Sequence, residues 1–389
     1  MSRIVIIGGG VMGSSTAYFL AMAGHAGDVT VIEPDPTYEF AATPRATGGV
    51  RVIFGVEENI RMSQFGHEVY SRFHDLMAVD GEPADIGYRR GGYMYLGTGR
   101  DDVKLLEENC AFQKGFGCDV YLRDRAGIKA LFPSLHVDDL DIALHSPNDA
   151  FIDPYSVLMG FRRKAISLGV SYRKDRVIGL EASPRRVERV VLEGGDKLSP
   201  ELVVNAANCW APDICAMVGM GVPVKPLARM SFYYRVPTPL EPMPLTRHIT
   251  MGGSFRPFDA GYLGGMTRYD QEPGFHWDLD DSLFDTAIWP DLAHRVPAFE
   301  TLKMQRSWVG HYDWCYLDGN MVLGPWTGRL ENFYIACGFS GHGLQHAPAV
   351  GRALKELLVD GGYQTIDLSR FDYRRVMTGI PVPDIGPKA

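Results

Sequence analysis

Arg3 to Ile7 (RIVII) is a short apolar, β-branched run, and Gly8-Gly9-Gly10-Val11-Met12-Gly13 follows it at once. The apolar stretch Ser14 to Gly24 comes next, and then Val29-Thr30-Val31-Ile32-Glu33. Strand, glycine turn, helix and strand, ending in an acid, spell a dinucleotide-binding βαβ unit. Gly8, Gly10 and Gly13 stand in GxGxxG spacing, and Glu33 lies twenty residues past Gly13. Gly8 is expected to make the tight turn. Gly10 lets the backbone approach a pyrophosphate, whose charge meets the N–H groups of the helix start at Val11 and Met12. Gly13 lets helix and strand pack closely. Glu33 is placed to accept hydrogen bonds from the ribose hydroxyls of an adenosine and to repel a 2′-phosphate.

A chain of 389 residues is long enough for two domains with sizeable cores. Its net charge of −8 argues against nucleic acid or an anionic membrane as partner. No apolar run reaches the length of a membrane span. The first strand starts at Arg3, leaving no room for a signal or transit peptide, so the expected location is cytoplasmic. Cys110, Cys118, Cys209, Cys215, Cys315 and Cys337 form no CxxC pair, and no histidine pair has zinc spacing. Free buried thiols and no metal are expected.

Further along, helical periodicity covers Glu57 to Met77, Asp101 to Phe116, Tyr155 to Leu168 and Leu344 to Leu358. The last of these puts Leu344, Ala347, Val350, Leu354 and Leu357 on one stripe. Strand patterns occur at Gly92 to Thr98, Val170 to Lys174, Arg176 to Glu181, Val187 to Leu192 and Leu198 to Val204. They continue at Ser231 to Val236, His248 to Met251, Gly261 to Gly264, Ser307 to His311 and Phe333 to Cys337. The charged run Arg185 to Arg189 reads as a solvated hairpin edge, and the Pro-rich tail after Ile380 as a loose surface segment. Units of βαβ type at both ends, with β-rich stretches between, predict a cofactor domain built from separate segments with an antiparallel domain inserted.

Three stretches carry a family resemblance: IVIIGGGVMGSSTAYFLAMAG, VVNAANCWAP at Val203 to Pro212, and GFSGHGLQ at Gly338 to Gln345. In this order they resemble the D-amino-acid oxidase, glycine oxidase and sarcosine oxidase (DAO) family of FAD enzymes over nearly the whole chain. VGHYDWCYLDGNMVLGP, GFSGHGLQHAPAVGRAL and QTIDLSRF look closest to one branch. That branch includes a mitochondrial FAD-dependent oxidoreductase-domain protein implicated in assembly of respiratory complex I. The resemblance implies an α/β fold: an FAD-binding Rossmann-like domain of glutathione-reductase type with an inserted, mainly antiparallel β substrate domain. The expected division assigns 1–85, 147–225 and 310–389 to the FAD domain, and 86–146 and 226–309 to the substrate domain. It also implies oxidation of a C–N bond by hydride transfer to flavin N5.

Carried over residue by residue, the resemblance places Val177 at the adenine. Asn205, Ala206, Ala207 and Trp210 fall where the chain returns past the pyrophosphate. Arg45, Thr47, Gly48 and Gly49 belong to the loop beside the flavin. Gly338, Gly341, His342, Gly343, Leu344 and Gln345 form the turn below the pyrimidine end of the ring. A glycine-rich turn into a helix aims N–H groups and a positive helix end at its ligand.

The departures are as informative. The cysteine that anchors FAD covalently in sarcosine oxidases is replaced by Gly310, two positions before Tyr312, so FAD is expected to be noncovalent. The lysine ending the GFSGHG-type motif is Gln345 here, and no lysine matches the oxygen-activating one within Tyr262 to Arg268. The acceptor is therefore oxygen or an electron carrier.

The candidate catalytic residues are Arg51, to orient a carboxylate or polarise the flavin; Arg256, as carboxylate anchor; Tyr312, to close the pocket; and Gln345. His342 is read as orienting backbone rather than acting as a base. His311 alternates to the face opposite Tyr312, and Trp308 and Trp314 read as core or wall. The leading expectation is an enzyme oxidising an amino acid or N-substituted amino acid to an imine that hydrolyses. The alternatives are an FAD-dependent 2-hydroxy-acid dehydrogenase and a non-catalytic flavoprotein assembly factor.

Overall fold

The computed structural model describes residues 3–250, 253–266, 268–278 and 280–387. Among these, four sheets form. The first has six strands in the order Val322–Trp326, Leu330–Cys337, Leu202–Asn205, Ile4–Ile7, Val29–Glu33 and Ser171–Lys174. It is parallel apart from the hairpin of its first two members. Ile4–Ile7 is buried along its length, because helices lie on one side and the three-stranded sheet Val177–Ala182, Val187–Leu192 and Lys197–Leu198 on the other. Helix Val11–Leu20 packs between helices Gly343–Lys355 and Pro154–Ser167, closing that core.

The second layer is an eight-stranded sheet in the order Lys303–Cys315, Val224–Arg235, Gly261–Met266, Gly253–Phe258, Leu245–His248, Tyr93–Gly97, Ile142–Ser146 and Tyr121–Arg123. It is antiparallel except where Leu245–His248 runs parallel to Tyr93–Gly97. This is the α/β architecture with an antiparallel second unit that the sequence implied. Val224–Arg235 and Lys303–Cys315 run through the limits expected at 225/226 and 309/310, so the two units share these strands.

Several elements differ from their sequence patterns. Ser307 to His311 is the middle of a 13-residue strand, because its partner Val224–Arg235 extends the ladder on both sides. The helix expected over Glu57 to Met77 breaks at Arg72 (φ −113°) into Glu57–Ser71 and Phe73–Leu76. The strand expected at His248 ends there instead of beginning, and Met251 lies outside the described residues.

The C-terminal tail is the main correction. Val382 is buried; its N–H donates to Asp318 at 2.7 Å, and its carbonyl accepts from Asn320 at 2.6 Å. Asp384 accepts the Gly55 N–H at 2.7 Å and the Asn59 amide at 3.0 Å. Prolines remove donors but leave carbonyls and flanking N–H groups, and here those are met by buried side chains of the core. No helix among the described residues is long and apolar enough to cross a membrane.

Candidate active site

A cavity of ≈ 900 Å³ opens at the C-terminal ends of Ile4–Ile7 and Val29–Glu33. Its glycines are dictated by space. Gly8 has φ +97°, and a Cβ there would stand 2.7 Å from the Ala206 carbonyl oxygen. A Cβ on Gly13 would lie 1.9 Å from the Gly8 carbonyl oxygen. A Cβ on Gly10 would meet nothing within 4 Å, because that residue faces the cavity. Gly10 caps helix Val11–Leu20 without any side-chain acceptor, so the helix start offers its N–H groups to an anion.

At the other end, Glu33 accepts the Gly9 N–H at 2.8 Å and the Asp35 N–H at 2.9 Å, one on each carboxylate oxygen. Burial raises its pKa, while these two hydrogen bonds oppose the shift. Each oxygen keeps a further lone pair for a hydroxyl. Val177, Ala206, Ala207 and Trp210 line the same cavity. The buried Oδ1 of Asn208 faces it with no hydrogen-bond partner. A bare helix start, an acid with spare lone pairs and an orphaned amide oxygen fit the pyrophosphate, ribose and polar edges of FAD.

Two expected cofactor contacts stand behind the wall instead. Asn205 is fully buried, donating to Ala211 O at 2.9 Å and accepting the Ala207 N–H at 3.2 Å. Gly338 (φ +77°) packs on Val224 and Cys315 and donates to Asp313. Both hold the turns that line the cavity rather than lining it.

A second cavity shares Val11, Met12, Ala42, Thr43, Asn208 and Phe339 with the first and reaches the eight-stranded sheet. The Arg45–Arg51 loop forms one wall. A Cβ at Gly48 would strike the Ile152 carbonyl, and one at Gly49 the Tyr93 hydroxyl. The turn before helix Gly343–Lys355 forms another: Gly341, His342, Gly343, Leu344 and Gln345 all line the chamber. The Tyr312 ring lies against Gly341, where any Cβ would be within 2.6 Å of it.

The arginines sort into two kinds. Arg51 is buried and stacks 3.9 Å over Phe54; it donates to Ile53 O and sits 3.3 Å from His342 Nε2. Its backbone N–H donates to Gln345 Oε1 at 2.9 Å, so Gln345 braces the loop. Arg256 is not a surface strand residue. It is 3% exposed, stacks on Phe151 and Phe258, and donates to the Thr47 and Pro257 carbonyls. Burial lowers its pKa to about 10, which leaves it charged at neutral pH. Arg45 donates to Glu39 O at 2.8 Å and Val309 O at 2.6 Å. All three hold the Arg45–Arg51 loop in place.

Arg229 and Arg247 were not singled out in the sequence, yet both line the chamber and are nearly buried. Nε and Nη1 of Arg229 and Nε of Arg247 are buried without partners. Alternation marks Leu227, Arg229, Ser231 and Tyr233 as one face of a strand, but only sheet pairing says what that face meets. Asp313, also missed, lines the chamber and accepts the Gly338 N–H at 2.7 Å; burial pushes its pKa up to about 7.

The imidazoles are poor bases. Burial drives His342 well below its usual range and His346 to about 3. His311, at about 4 through burial, accepts the His276 N–H at 3.0 Å and packs against Trp277, on the face opposite Tyr312. Trp308 donates to Arg45 O at 3.1 Å.

All six cysteines are buried free thiols, and none lines either cavity. Away from the site, His136, Asp139 and His294 come close enough to share a metal ion. Arg295, however, donates twice to the Asp139 carboxylate, at 2.9 and 2.8 Å, and its charge opposes a cation there.

Comparison with known proteins agrees with this geometry. The family described as FAD dependent oxidoreductase (DAO) matches residues 3–357. The FAD-dependent oxidoreductase domain-containing protein 1 of Xenopus laevis is 35% identical, over 97% of this chain and 83% of that protein. Mitochondrial sarcosine dehydrogenase of Mus musculus is 26% identical, over 96% of this chain but 41% of the relative. Among solved structures, L-proline dehydrogenase from P. horikoshii superposes with a TM-score of 0.88 at 27% identity, covering 97% of this chain and 98% of that one.

Proposed function

The chain belongs to the DAO family of FAD-dependent oxidoreductases, and from that premise we propose that it oxidises the C–N bond of an amino acid or N-substituted amino acid. The carrying observation is the charge of the chamber: Arg45, Arg51, Arg229, Arg247 and Arg256 line it, against one carboxylate among the described residues, that of Asp313. Such a wall selects an anion, and a substrate carboxylate supplies one. The named activities of the relatives, on sarcosine and L-proline, are of this class.

Bound FAD supplies the two-electron acceptor. The chain's own residues bind and orient. The Arg45–Arg51 loop, braced by Gln345 and Arg256, fixes the wall beside the ring; Tyr312 and Gly341 close the opposite side. An amine that binds neutral needs no base for carbon oxidation: its nitrogen lone pair forms the C=N bond as hydride leaves the α-carbon, and water then hydrolyses the imine. No cysteine lines either cavity, which leaves no thiol there to form a thioether to the flavin.

The test is anaerobic bleaching of the purified flavoprotein, followed near about 450 nm, where flavin absorbs. Pools of N-methyl amino acids, D- and L-amino acids, and 2-hydroxy acids serve as substrates. Bleaching by an amino-acid pool supports the proposal. Bleaching by hydroxy acids alone overturns it, and so does a flavin that every pool leaves oxidised. Acid precipitation of the same sample should release the flavin into the supernatant; flavin retained in the pellet refutes noncovalent attachment.

A further inference from the structure

Arg229 and Arg247 stand on different strands of the eight-stranded sheet, and their side chains converge over small residues. Arg247 pairs with Ser254, and Ser254 pairs with Gly265 in the next strand. Gly265 lies beneath Arg229: a Cβ built there would be 3.9 Å from Arg229 Nη2. Two strand spacings, about 10 Å, thus separate the Arg247 backbone from the point over which Arg229 leans. Serine and glycine between them leave the floor clear for a ligand.

The two guanidinium groups differ from every other arginine of the chamber. Arg51, Arg256 and Arg45 spend donors on backbone carbonyls, and Asp384 and Asp149 lie near Arg51. Arg229 and Arg247 donate no hydrogen bond and make no ion pair among the described residues; Nε and Nη1 of Arg229 and Nε of Arg247 are buried unpaired, whereas Arg256, whose Nε is also unpaired, donates from both Nη atoms to backbone carbonyls. The charged group acting most strongly on Arg247 is Arg229 itself, which repels it. Two buried like charges set this close, with donors aimed into a cavity, call for an anion of more than one charge.

We infer that the substrate is a dicarboxylate: an amino acid or N-substituted amino acid whose two acid groups are held by Arg229 and Arg247, one on each guanidinium, over Ser254 and Gly265. This rests on the reading of the chamber as the place where an amino-acid-like substrate is oxidised. One carboxylate neutralises only one of the charges, so monoacids of the same length bind more weakly.

The test separates binding from turnover. Glutarate and valerate, which share a five-carbon chain and hold no oxidisable nitrogen, are titrated into the flavoprotein, and binding is read from the flavin difference spectrum. Glutarate should bind at least about tenfold more tightly. Arg229→Met and Arg247→Met should each reduce that preference to within about threefold, with the flavin spectrum of the free protein unchanged; Arg→Lys at either position should retain part of it.

Equal affinity of the unmodified protein for glutarate and valerate overturns the inference, and needs no variant to fold. If glutarate is preferred but no amino diacid bleaches the flavin, the dicarboxylate site stands and the C–N oxidation reading fails. If monocarboxylic amino acids bleach it without a diacid preference, the outcome is the reverse.

Discussion

The carboxylate of Asp313 accepts the backbone N–H of Gly338 at 2.7 Å, tying the strand Lys303–Cys315 to the turn that leads into helix Gly343–Lys355. Burial lifts its pKa to about 7 in the folded protein, against 3.8 for an ordinary aspartate. Below about pH 4 folded and unfolded chains both hold this proton. Between there and pH 7 the folded chain holds it and the unfolded chain has lost it. Stability from this group therefore falls as pH rises through that window and levels off above it. The slope approaches about 1.4 kcal/mol per pH unit, roughly 4 kcal/mol in all. Asp313→Asn keeps an acceptor for Gly338 and removes the titration. Thermal melts at pH 4 and pH 8 should show the variant gaining on the parent as pH rises; parallel curves would refute the raised pKa.

Gly10 and Gly13 separate cofactor space from protein space. Gly13→Ala forces a methyl group to within 1.9 Å of the Gly8 carbonyl oxygen. The overlap moves backbone, so apoprotein and holoprotein should both lose more than about 2 kcal/mol. Gly10→Ala meets no protein atom within 4 Å, so the apoprotein should melt as the parent does. Its methyl group enters the space assigned to the pyrophosphate, and FAD affinity should fall by about tenfold or more. Flavin retention and apoprotein melting, measured together, check both; tight FAD binding by Gly10→Ala would move the cofactor elsewhere.

Asp384 holds the C-terminal tail on the Gly55 N–H and the Asn59 amide. Asp384→Ala leaves both donors without their acceptor, a loss of about 1–3 kcal/mol. The urea midpoint should fall, and the Gly55 amide should exchange faster with solvent. Unchanged protection at Gly55 would mean that the tail does not seal this edge in solution.

The nucleotide half of the site was legible because its signals are local. Gly8, Gly10, Gly13 and Glu33 lie within one βαβ unit, where chain spacing fixes position in space. The apolar stripe of the last long helix was legible for the same reason: it depends on a short window of sequence. The sequence alone determined the α/β fold class, the FAD cofactor and the antiparallel character of the second unit.

The tertiary structure decided which arginines remain available. Arg51 and Arg256 looked like carboxylate anchors, but Ile53, Thr47 and Pro257 lend them carbonyls that only the folded chain brings near. Arg229 and Arg247 looked like ordinary strand residues, and their meeting over Gly265 follows from strand register across segments far apart in the chain. The tail after Ile380 has loop composition, yet it is ordered by Asp318, Asn320 and Asn59, donors and acceptors that no local pattern announces. Hydrogen-bond pairing of buried groups is settled between distant segments, so one-dimensional periodicity gives the faces of the strands and three-dimensional register gives the site.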